Sequence, residues 1–186
     1  MKTKMILVTL AAILCCTTLF TSCEKTLPDQ PETPTTKDTT PVAAVMEYSF
    51  SVTDDLFNAF NLTVEYYDAT GAVKSETMTS KTWTKSVKAN QLPATLGARL
   101  FIKLKSGFDS SKEEIFSAKH AYDYEYYAVN KSNEKLDGGV SKGVSGGVDM
   151  QYGKVPAYAE RYLDKPIMKY IFNFASDGSA TSGSWE

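Results

Sequence analysis

The chain reads as an all-β protein in which two antiparallel sheets pack face to face as a sandwich, with one or two short helical turns. Three observations lead there. Apolar residues recur at every second position along several separate stretches, the period of a strand with one dry face and one wet face. Glycine, proline, asparagine and aspartate fall between those stretches, where chain reversals need them. No apolar pattern of helical period runs long enough to cover a sheet, so each sheet has only another sheet to bury its apolar face.

The strands follow in order. Across residues 45–53, Met46, Tyr48, Phe50 and Val52 point one way and Glu47, Ser49, Ser51 and Thr53 the other. Leu62, Val64 and Tyr66 repeat the alternation, with Thr63, Glu65 and Tyr67 opposite. Asp68-Ala69-Thr70-Gly71 then reads as a hairpin turn in which Gly71 supplies a positive φ. Pro93 breaks the chain before the clearest apolar row, Leu96, Ala98, Leu100, Ile102 and Leu104, which is backed by Arg99, Lys103 and Lys105. Residues 130–133 and Asp137-Gly138-Gly139 read as further turns. Ser110 with Glu113 has the spacing of a helix capping box. Residues 155–163, with Pro156 near the start and Tyr158 and Tyr162 four apart, suit one or two helical turns. Met168, Tyr170, Phe172 and Phe174 make the last alternating row. The succession of strand, hairpin, Trp83-containing strand, Leu92-Pro93 and long strand resembles immunoglobulin- and fibronectin-type sandwich modules. That resemblance spans residues 60–105 and leaves a transthyretin-like sandwich or a small barrel open.

Upstream of the first strand the chemistry changes. Lys2 and Lys4 precede an apolar stretch over residues 5–14, and small or polar residues follow as far as Cys23, the three parts of an export signal. The apolar run falls short of the ~20 residues that a spanning helix needs. Leu19-Phe20-Thr21-Ser22-Cys23 resembles the lipobox of bacterial lipoproteins, with Phe20 where leucine is usual. Together with Glu24-Lys25 and the Thr/Pro run behind it, this start is similar to Bacteroidetes lipoproteins. The resemblance implies an exported chain with residues 1–22 removed and Cys23 acylated. It further implies an outer-membrane anchor through that lipid, on the periplasmic or the surface side. Each buried CH₂ of such an anchor contributes about 0.8 kcal/mol, so two or more chains hold firmly.

Residues 23–42 are then a Thr/Pro-rich disordered tether, since Leu27 is the only large apolar side chain before Pro41 and ordering entropy is not offset. Residues 43–186 form the sandwich domain. Asp38-Thr39-Thr40 resembles the Asp-Thr site that Bacteroidetes O-glycosylate, which would make Thr39 the modified residue; a chance tripeptide in a Thr-rich tract is the other reading.

Composition narrows the function. Loss of Lys2 and Lys4 takes the 20 basic residues to 18 against 22 acidic ones. A mildly acidic domain without a basic cluster argues against nucleic acid. Cys15 and Cys16 leave with the leader, so the domain has no disulfide or thiol chemistry. His120 is the only histidine, which precludes a multi-imidazole zinc site, and no Gly-x-Ser-x-Gly elbow accompanies it. It reads as a partly exposed strand or loop histidine. The glycine-rich residues 138–147 lack the order of a phosphate-binding loop and read as a flexible loop or a bulged edge strand. No enzyme, cofactor or metal is expected.

The candidate contact residues lie in Tyr122-Asp123-Tyr124-Glu125-Tyr126-Tyr127. As a strand, this run places Tyr122, Tyr124 and Tyr126 on one face, with Asp123, Glu125 and Tyr127 on the other. Exposed tyrosines near carboxylates suit a sugar; buried ones belong to the core with their hydroxyls at the rim. The expectation is a monomeric, non-catalytic envelope lipoprotein acting as a spacer or a protein-interaction module. The alternative is a glycan-binding one that works beside polysaccharide uptake.

Overall fold

A computed structural model describes residues 37–185; the leader, Cys23 and the tether up to residue 36 lie outside the described residues. Strand β1 (Ala43–Val52) leads through a short helix α1 (Asp54–Ala59) to β2 (Phe60–Tyr67), β3 (Val73–Thr77), β4 (Thr82–Ala89) and β5 (Ala94–Leu104). A long hairpin of β6 (Ile115–Val129) and β7 (Lys135–Gln151) follows, then α2 (Val155–Arg161), β8 (Met168–Phe174) and β9 (Ala180–Ser182). All pairings are antiparallel. One sheet has the order β4-β1-β6-β7 and the other β3-β2-β5-β8-β9.

The alternation in the sequence decides which side chains lie between the sheets. Met46 and Phe50 of β1, Phe60 and Val64 of β2, Leu96 and Leu100 of β5, and Phe116 of β6 are all buried. Aromatic contacts join the layers: Tyr66 to Trp83 at 5.8 Å, Phe50 to Tyr170 at 6.3 Å and Tyr126 to Phe172 at 4.0 Å between ring centroids. Burying each large side chain contributes about 1.5–3 kcal/mol. The two-sheet sandwich follows from that shared apolar layer. β1 pairs with β4 in one sheet and β2 with β5 in the other, so the chain crosses between the layers. The β6–β7 hairpin is added on the free side of β1.

Asp68 to Gly71 forms the hairpin turn that the sequence predicts, with Gly71 at φ 82° and the Asp68 carboxylate accepting from Thr70 N, Thr70 Oγ1 and Ala72 N. α2 also forms as predicted. Pro156 lies in its first turn, Val155 and Tyr158 are buried, and the Tyr158 and Tyr162 rings stand 5.0 Å apart.

Three readings differ. The capping box at Ser110 and Glu113 starts no helix, because the Asp109 carboxylate accepts from Ser111 N and Oγ, a local bond that competes with helical pairing. Asp137-Gly138-Gly139 is not a reversal but part of β7. A Cβ on Gly138 would stand 2.1 Å from the Tyr126 carbonyl oxygen, so the glycine serves close strand approach. Helix α1 forms where the sequence shows only an acidic pair. Its first-turn Asp54 and Asp55 suit a helix N-terminus, while its Leu56 and Ala59 are buried.

The end of the expected tether is held to the domain. Asn130 is 1% exposed, and its Nδ2 donates to the Asp38 carbonyl at 2.6 Å and to Glu134 at 2.8 Å. Its Oδ1 accepts from Ser132 N and Glu134 N. A buried amide with all these partners carries no desolvation deficit. No helix among the described residues is long and apolar enough to cross a membrane.

Candidate functional surface

β6 carries every residue that the sequence singles out for glycan contact, and its pleat divides them. Tyr122, Tyr124 and Tyr126 face the second sheet. Tyr122 and Tyr124 stack at 6.0 Å, Tyr124 and Tyr126 at 6.2 Å. Their rings rest on Tyr170 at 4.0 and 5.0 Å and on Phe172 at 5.3 and 4.0 Å. Burial first, then the Tyr122 hydroxyl, pushes the Tyr170 hydroxyl far above its ordinary pKa. The three tyrosines are half-buried members of the core layer. Asp123 and Glu125 alternate with them on the strand and lie on its opposite face.

That outer face holds an open depression of about 450 Å³, lined by Glu47 and Ser49 of β1, Ser86 of β4, Asp123 and Glu125 of β6 and Lys142 of β7. Its acids are already engaged. Tyr127 Oη donates to Glu47 at 3.1 Å, and Lys135 pairs with Glu125 while lying 4.5 Å over the Tyr127 ring. Asp123 Oδ1 accepts from Gly143 N at 2.6 Å, which fixes the bulge where Gly143 adopts φ 67°. Carboxylates used in this way hold strands in register.

Other candidate groups are dispersed. Asp54 pairs with Lys81 at 2.8 Å, whereas Asp55 accepts from Ser117 N at 2.8 Å. His120 lies in β6 opposite Val52 and Gly146. Its Nδ1 is buried without a hydrogen-bond partner among the described residues, and burial lowers its pKa. Thr39 is exposed, beside Pro41 and Gly178 in a shallow depression. Among the described residues no group of three or more His, Cys, Asp or Glu is placed to hold a metal.

The feature that stands out is β7. It is the 17-residue outer strand of its sheet, and the glycine-rich residues 138–147 fall within it as a bulged edge strand. Register shifts interrupt its pairing with β6 between Tyr122 and Tyr124 and between Tyr127 and Val129. From Val144 to Gln151 the register is unbroken. Among the described residues, Val73, Ile115, Val140, Val148 and Leu163 are large apolar residues left exposed, and three of them belong to the β6–β7 hairpin. The glycine run was visible in the sequence. The exposure of Val140 and Val148 was not, since bulges shift the faces that simple alternation assigns. Neither a protein-family model nor a curated protein matches this chain.

Proposed function

We propose that this chain is an exported, lipid-anchored, non-catalytic interaction module, held at Cys23, that engages an extended segment of a partner protein along β7. The exposed β7 edge carries the reading. An outer strand offers a row of backbone N–H and C=O groups to an added strand. Gly143 has open space around it, and Val140, opposite Glu125, and Val148, opposite Ala118, supply one apolar contact on each face of the strand at 60% and 46% exposure. Main-chain bonding would give such a contact affinity, and the two valines a register. The lipobox-like leader supports the anchor.

Mass spectrometry of the mature N-terminus tests the anchor, the expected product being acylated Cys23. For the module, a photo-crosslinking residue is placed at Val140, and separately at Lys169 on the other sheet, in intact cells. A discrete adduct from position 140 alone, lost on adding Val148→Lys, is expected. Equal labelling from both positions, or an adduct indifferent to Val148→Lys, overturns the reading.

A further inference from the structure

A second cleft lies at the end of the sandwich where β1 begins. It measures about 450 Å³ and is walled by the β2–β3 turn, the 89–95 segment and the C-terminal tail. Its lining sets the cleft apart from the rest of the surface. In a chain of which 23% of residues are charged, none of its eleven lining residues is Asp, Glu, Lys, Arg or His. In their place stand Tyr67, the amide residues Gln91 and Asn173 and the hydroxyl residues Thr70, Thr95 and Ser184.

The walls are fixed before any ligand arrives. The Asp68 carboxylate takes three donors from residues 70–72, which sets the turn bearing Thr70. Thr95 Oγ1 donates to Asn173 Oδ1 at 2.9 Å, which orients that amide. Gly183 N donates to the Ile171 carbonyl at 2.9 Å. A side chain at Gly183 would come within 2.9 Å of Asn173 Nδ2, so glycine is what lets the tail run beside the amide. Beyond it, Trp185 seats its ring 4.3 Å from Tyr67 and 4.4 Å from the Arg99 guanidinium, and Arg99 is held by Glu65 at 2.7 Å. A pre-set wall lowers the ordering cost of binding.

The geometry points to a binding site for a neutral saccharide in this cleft. Amides offer a donor and an acceptor side by side and hydroxyls offer both, which matches the vicinal hydroxyls of a sugar ring. An aromatic ring accepts the apolar C–H face of the same ring. Without a cation the cleft gives an anionic ligand no counter-charge, and without a carboxylate it gives a cationic one none. The volume lies within the range of small-ligand sites and accommodates one or two sugar units. This site is separate from β7 and does not depend on the β7 reading.

The test uses the full-length chain in detergent and four neutral trisaccharides: maltotriose, cellotriose, mannotriose and triacetylchitotriose. Trp185 reports through its fluorescence, because Trp83 is buried in the core and stays constant. At least one trisaccharide should shift the emission saturably, with amide NMR shifts gathered at Gln91, Asn173 and Ser184. Sialyllactose, which is anionic, should bind at least about tenfold more weakly. The double variant Gln91→Ala/Asn173→Ala, two lost hydrogen bonds, should weaken binding by about tenfold or more while its melting temperature stays within a few degrees. Should that variant unfold, Gln91→Ala alone with the NMR map decides. Silence from all four sugars, shifts gathered elsewhere, or undiminished binding by the variant overturns the site.

Discussion

Glu76 links the two sheets, and its removal gives the most quantitative prediction. From β3 its carboxylate accepts Lys85 Nζ at 2.5 Å and Trp83 Nε1 at 2.9 Å, both from β4 in the other sheet, and Tyr66 Oη at 2.7 Å from β2. These bonds, in the order Lys85, Trp83, Tyr66, pull its pKa down to about 2. Tyr66 and Trp83 are buried at 7% and 8% exposure, so Glu76→Ala strands two donors, at about 1–3 kcal/mol each. The Lys85 pair, with side chains a third exposed, adds less than about 1 kcal/mol. A loss of about 3 kcal/mol follows, near 6–12 °C in melting temperature for a domain of this size. Glu76→Gln retains an acceptor and should lose about half as much. Urea unfolding followed by Trp83 emission measures both. The folded carboxyl binds its proton less readily than the unfolded one, whose pKa is near 4.5. Its stabilisation is therefore present above that value and lost as pH falls towards 2. Glu76→Gln should flatten that acid limb. A Glu76→Ala loss below about 0.5 kcal/mol would refute the cross-sheet reasoning.

Two other perturbations are informative. Burial lowers the folded pKa of His120, so the unfolded state takes up the proton first. Its stabilisation is complete above about pH 6.5 and declines as pH drops below that. His120→Gln should remove this decline from melting curves recorded between about pH 7 and 5, and an unchanged slope would count against it. Asn130→Ala deletes the amide that holds Asp38 and the 130–134 turn. It should cost about 2–3 kcal/mol and open residues 37–42 to proteases. Unaltered cleavage there would show that the amide does not retain the segment.

Much of the sandwich was legible because period-two alternation and a two-sided pleat are the same fact. Met46 to Val52, Leu62 to Tyr66, Leu96 to Leu104 and Met168 to Phe174 point where the pattern puts them. Legibility failed where one short-range signal stands for two structures. Ser110 and Glu113 have the spacing of a capping box and start no helix; Asp137-Gly138-Gly139 looked like a turn and is packed strand. The tyrosine row shows the deeper limit. Its facing was readable, but whether the tyrosine face met solvent depended on Tyr170 and Phe172, about fifty residues away in another sheet. The cleft's uncharged lining is assembled from Tyr67, residues 69–71, positions between 89 and 95, Asn173 and Ser184, and no local window of sequence contains it.

The position of β1 has a mechanical consequence. It follows the N-terminal segment directly, yet it is an interior strand, in register with β4 over eight residues and with β6 over ten. A tug on the N-terminus along the strand axis shears both ladders at once, so their bonds must rupture together instead of peeling one by one. An outer strand in that place would unzip under far less force. The order of strands thus makes the leading strand a suitable point from which to suspend the domain against drag.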